Sequence, residues 1–154
     1  MSRDKGKKFE GLIRHAFEKV PGVSIDRLHD QTNGFKGSTN VADFIVYKKP
    51  YEYYVECKSV RGNTLPFSNI TDNQWSGLAN KSEIPGVFAG IICWWVDRDV
   101  TRYIPIQELI SLELHGKKSF RYDWDNCSIE IPGTKKRVFF DYDMEVFFNA
   151  VSTF

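Results

Sequence analysis

Two short segments, Val41-Ala42-Asp43 and Val55-Glu56-Cys57-Lys58, carry the residue types that phosphodiester hydrolysis requires. Side chains alternate faces along a strand, so Glu56 and Lys58 point one way while Val55 and Cys57 point the other. Asp43 interrupts an apolar run just upstream, and a turn at Lys48-Lys49-Pro50 folds the two runs into a hairpin that brings Asp43 beside Glu56. Two carboxylates supply hard oxygen ligands for Mg²⁺, with Mn²⁺ as a substitute, and the backbone carbonyl of Cys57 can complete the set. The Lys58 ammonium would orient a water and offset the charge that grows on the phosphate. Glu10 falls at the edge of the apolar face of an N-terminal helix, within reach of the ion directly or through a water. Gln74 offers a neutral oxygen near the start of a later helix.

A Glu-x-Lys tripeptide on a strand is more often an exposed pair supporting a sheet. The order of elements around it argues for catalysis. Phe9, Leu12, Ile13, Ala16, Phe17 and Val20 recur at helical spacing until Pro21-Gly22 stops them. A short strand at 23–28 and a loop at 29–40 follow, the loop carrying His29, Lys36 and two glycines. Strands are expected at 41–47 and 51–60, then irregular chain over 61–69. Thr71 or Asp72 caps a helix bearing Trp75, Leu78 and Ala79, which ends at Pro85-Gly86. The apolar run 87–96 reads as a strand buried on both faces. Beyond it come a strand at 100–104, a helix led by Pro105 and closed by Gly116, a hairpin of 129–131 with 137–142 around Pro132-Gly133, and a last helix at 144–151.

These residues resemble the PD-(D/E)XK nuclease superfamily, with Val41-Ala42-Asp43 at its first motif and Val55-Glu56-Cys57-Lys58 at its second. The resemblance implies an α/β fold of the restriction-endonuclease-like kind, a mixed central sheet flanked by helices with core order αβββαβ. Within the superfamily the chain is similar to the RecU-like Holliday junction resolvases in Gly6-Lys7-Lys8-Phe9-Glu10, in Ser38-Thr39 ahead of Asp43, and in Leu65-Pro66-Phe67-Ser68-Asn69-Ile70 followed by Gln74. It implies a metal-binding role for Gln74, a four-way or branched DNA substrate, and a homodimer with two active sites. Val41 stands where that family has threonine, and only 29–40 occupies the place of its long basic stalk. Two other readings stay open: a restriction- or repair-type endonuclease on duplex DNA, and a DNA-binding protein on the same scaffold without catalysis.

The rest of the sequence bounds these readings. The 154 residues suit a single domain, 1–154, and 42% hydrophobic, 15% aromatic and 27% charged residues describe a chain with a dense core. The net charge of +1 does not announce a DNA partner by itself, so local basic groups matter: Arg3, Lys5, Lys7 and Lys8; Lys117 and Lys118; Lys135, Lys136 and Arg137. Each of these, taken alone, reads as solvated surface. Cys57, Cys93 and Cys127 suggest neither a disulfide framework nor a Cys-x-x-Cys site, and with no apolar leader or span the expected location is the cytoplasm. His15, His29 and His115 lack zinc spacing, and His29 is placed to meet DNA. Trp94 and Trp95 fall in the apolar run and are expected in the core. No Gly-x-x-x-x-Gly-Lys loop is present to cradle a nucleotide.

Overall fold

The computed structural model describes residues 3–28, 40–136 and 139–153. The loop expected at 29–40, apart from Asn40, lies outside them, and with it His29, Lys36 and Ser38-Thr39; so does Arg137.

The first helix, α1 (Arg3–Glu18), buries Phe9, Ile13, Ala16 and Phe17 along the expected stripe. Gly22, at φ 77, then turns the chain in a conformation a side chain would resist. Next come β1 (Val23–Arg27), β2 (Phe44–Lys48) and β3 (Tyr51–Val60). The short β4 (Thr64–Pro66) leads through a single 3-10 turn into α2 (Asp72–Ser82), followed by β5 (Val87–Trp95) and β6 (Val100–Pro105). The last elements are α3 (Ile106–Leu114), β7 (Ser119–Arg121), β8 (Ile129–Glu130), β9 (Gly133–Lys136), β10 (Phe139–Tyr142) and α4 (Met144–Val151).

A mixed sheet in the order β1-β2-β3-β5-β6-β8 forms the centre. Only β3 and β5 run parallel, joined by the α2 crossover; every other neighbouring pair is antiparallel. One face packs Phe44, Val55, Ile92 and Tyr103 under α1 and α4, where Phe17 meets Phe147 and Phe148, and Tyr53 meets Phe148, edge to face. The other packs Ile91, Trp95 and Ile104 under Leu78 of α2 and Ile106 and Leu109 of α3. Both faces of β3 and β5 are therefore covered, the condition under which strands read as unbroken apolar runs. Among the described residues no helix is long and apolar enough to cross a membrane.

Four expectations shift. The strand before the hairpin begins at Phe44, not Val41, so Asp43 stands just outside it. The stretch 61–69 is not wholly irregular, because Leu65 is fully buried opposite Phe120 in the β4–β7 pair. Pro105 ends β6 and caps α3, which starts at Ile106. The C-terminal hairpin joins β9 to β10, whereas β8 pairs with β6 at the edge of the main sheet, where Ile129 reaches the core.

Gly90 fixes how closely β5 and β6 meet. A Cβ there would lie 2.4 Å from the Ile104 carbonyl oxygen and 2.7 Å from the Tyr103 ring. One of these obstacles is backbone in a central strand, so relief requires moving the sheet. Gly90→Ala is expected to cost about 3 kcal/mol, read as a lower denaturation midpoint at an unchanged slope. A midpoint equal to wild type would mean that this close approach is not fixed.

Candidate active site

The site forms just before β2 begins, where its neighbour β3 runs on past it. Asp43 donates its backbone N–H to the Val55 carbonyl at 3.1 Å and accepts from the Leu28 N–H at 2.8 Å. The chain then departs from the ladder, and the carboxylate takes over: Asp43 Oδ2 accepts the Cys57 N–H at 2.8 Å. That N–H points to the side of β3 from which β2 has withdrawn, and in an extended strand the carbonyl of the same residue points there too. Gly77 allows the approach that places this segment, since a Cβ on it would lie 2.1 Å from the Val41 side chain.

Glu56 and Lys58 share the face under α2, as the alternation of β3 requires. Glu56 is only 5% exposed. Its Oε1 accepts from Gln74 Nε2 at 2.9 Å and lies 3.5 Å from Lys58 Nζ. Gln74 is held by a capping box at the start of α2: its N–H donates to Thr71 Oγ1 and its Oε1 accepts the Thr71 N–H, both at 3.1 Å. A backbone N–H can only donate, so the side-chain oxygen faces Thr71 and the nitrogen faces Glu56. As placed, Gln74 is a donor to Glu56, and an ion taking its oxygen would have to replace the capping bond.

Glu10 reaches the cluster from α1, where its carboxylate accepts from the Arg27 guanidinium. Arg27 was not among the residues expected from sequence. It sits at the inward-facing parity of β1, in line with Val23 and Ile25, with its guanidinium 5.9 Å from the Phe44 ring centre. A cation where the alternation demands an apolar residue was the signal available.

Burial dominates the electrostatics. It pushes Glu56 up to about 8, helped by the charge of Asp43 and opposed by Lys58. It pushes Asp43 up to about 6, with Glu10 adding to the rise and the Cys57 N–H, Arg27 and Lys58 opposing it. The buried thiols of Cys57 and Cys93 are raised well above the ordinary range, so neither is a nucleophile at neutral pH.

Among the described residues no three His, Cys, Asp or Glu side chains converge closely enough to hold an ion by themselves. The donors that do meet are the buried Glu56 and half-buried Asp43 carboxylates, a strand-edge carbonyl and a primary amide. All are oxygen donors, apart from the amide nitrogen now facing Glu56, and the charge of Asp43 disfavours ionised Glu56. That donor chemistry fits a small hard cation, which commonly takes one or two carboxylates and keeps several waters.

No protein-family model matches the chain, and no curated protein matches it in sequence. Among solved structures it is similar to Archaeoglobus fulgidus Hjc, a Holliday junction resolvase from an archaeal hyperthermophile, with a TM-score of 0.51 over 67% of this chain and 78% of that one. The fold is restriction-endonuclease-like. Identity over the match is 17%, so the likeness speaks for the shared α/β scaffold. On that scaffold Asp43, Glu56 and Lys58 gather where the central strands part, with Gln74 and the Glu10–Arg27 pair around them.

Proposed function

We propose that the chain is a Mg²⁺-dependent DNA endonuclease that cuts four-way or branched DNA as a homodimer. The observation that carries the reading is the meeting of Asp43, Glu56 and Lys58 on the strands of a restriction-endonuclease-like sheet. The similar structure is that of a Holliday junction resolvase, which supports the choice of substrate.

In this reading Asp43 and Glu56 hold the ion, with the Cys57 carbonyl beside them. When bound, the cation offsets charge on the scissile phosphate and lowers the pKa of water. Lys58 hydrogen-bonds the attacking water and stays close to the phosphate oxygens, where its charge counts most as negative charge grows. Gln74 fixes the rotamer of Glu56 through the hydrogen bond anchored by the Thr71 capping box. Glu10 holds Arg27, and Arg27 lowers the proton affinity of Asp43.

Cleavage of an immobile four-way junction and of linear duplexes made from its arms, at equal strand concentration in Mg²⁺, tests the substrate. The junction is expected to be cut at least tenfold faster, by a species with the mass of two chains. Equal rates would transfer the chemistry to a duplex endonuclease. A chain that remains monomeric on the junction would remove the paired cut.

A further inference from the structure

Helix α1 presents two flanks on either side of its buried stripe. Glu10 occupies one and joins the carboxylate cluster. Lys5, Lys8 and Leu12, nearly half a turn away around the axis, occupy the other. Along that second flank runs a groove of about 580 Å³ whose apolar wall includes the half-buried rings of Trp94 and Phe140, 6.0 Å apart. Among the described residues lining it none is acidic, and two lysines stand on its rim. Trp94 was expected in the core, but only its neighbour Trp95 is fully buried.

An apolar aromatic wall under a cationic rim is complementary to one chemical object in particular: a nucleotide, with a flat apolar base next to an anionic phosphate. In a paired duplex the base faces are covered by their neighbours, so a recess of this kind admits a base only when it is unpaired and turned outward. Glu10 reaches the carboxylate cluster from the opposite flank of the same helix, so the groove and the cluster lie on two sides of α1.

Resting on the reading of this protein as one that acts on DNA, we propose that the groove receives an unpaired nucleotide of the substrate, its base against Trp94 and Phe140 and its phosphate at Lys5 and Lys8. The enzyme would thereby favour DNA in which pairing is interrupted.

The test is binding of the full chain in EDTA to a duplex with a short single-stranded gap, the gap carrying 2-aminopurine, and to the same duplex fully paired. Two variants address the groove. Trp94→Leu removes the stacking wall. Gly11→Leu fills the groove from α1, where a Cβ meets nothing within 4 Å. Because leucine favours a helix more than glycine does, this variant should keep or raise the melting temperature. Both are expected to weaken binding to gapped DNA about tenfold, to leave binding to paired duplex unchanged, and to abolish quenching of the 2-aminopurine. Wild-type affinity of Gly11→Leu for gapped DNA would overturn the proposal. So would an equal loss on both DNAs, or a fall in oligomeric mass showing that a second copy of the chain covers the groove.

Nicking of supercoiled DNA in Mg²⁺ by wild type and Lys58→Ala reports on the nuclease reading separately. Groove effects without nicking would sink only that reading, and nicking without groove effects would sink only this one.

Discussion

Lys58→Ala is expected to reduce strand cleavage in Mg²⁺ by a factor of about 10² to 10³ while leaving the melting temperature within a few degrees of wild type. The ammonium lies 3.5 Å from Glu56 Oε1 with its side chain 19% exposed, so it faces the cluster and still reaches solvent. Arg27, the other cation of the cluster among the described residues, is already held by Glu10. The loss should fall on the rate at saturating DNA more than on binding, since the charge matters most when the phosphate becomes more negative. Lys58→Arg should recover little, because a planar fork cannot place its charge where a compact ammonium stood. Asp43→Ala should lose cleavage to a similar extent. If both alanine variants cut DNA at the wild-type rate, the chain binds DNA without this chemistry, or cuts it elsewhere.

What could be read beforehand was whatever repeats or sits next to its cause in the chain. The stripe of α1, the parity of Glu56 and Lys58 on β3 and the span of α4 all follow from local periodicity. The Thr71 cap also follows from residues three apart, and it turned out to orient Gln74. Long-range pairings were hidden. The β4–β7 pair joins segments only three residues long that lie far apart in sequence, too short for any alternation to register. Asp43 was placed within a strand because the apolar pattern runs through it; its position one residue outside depends on Val41 packing at Gly77, a contact made by a distant helix. Arg27 was missed because a charged residue at the end of a strand normally faces solvent, and only the approach of Glu10 from α1 gives it a partner inside.

Glu56→Gln should abolish cleavage and, in the metal-free protein, raise stability at alkaline pH. Glu56 carries a folded pKa of about 8 against an ordinary 4.5, and Asp43 about 6 against 3.8. A carboxyl raised in this way favours the folded state only while protonated. Its contribution is complete below the unfolded pKa and is lost as pH rises through the folded one. The metal-free protein should therefore lose stability between about pH 4 and pH 8, most steeply in the lower half, where both carboxyls are still protonated in the folded state and ionised in the unfolded one. Glutamine keeps the carbonyl oxygen that accepts from Gln74 and carries no charge to bury. The variant should then exceed wild type by on the order of 2 kcal/mol at pH 8, about 5 °C for a chain of this size, with the difference vanishing near pH 4. Adding Mg²⁺ at pH 8 should raise the wild-type melting temperature and barely move that of the variant, because in the proposed reading the ion would offset the charge of the two adjacent carboxylates and glutamine offers none to hold it. Melting curves in EDTA and in Mg²⁺ across this range decide it. A variant less stable than wild type at pH 8 in EDTA would show that the carboxylate serves the fold, and an equal Mg²⁺ shift in both proteins would place the ion away from Glu56.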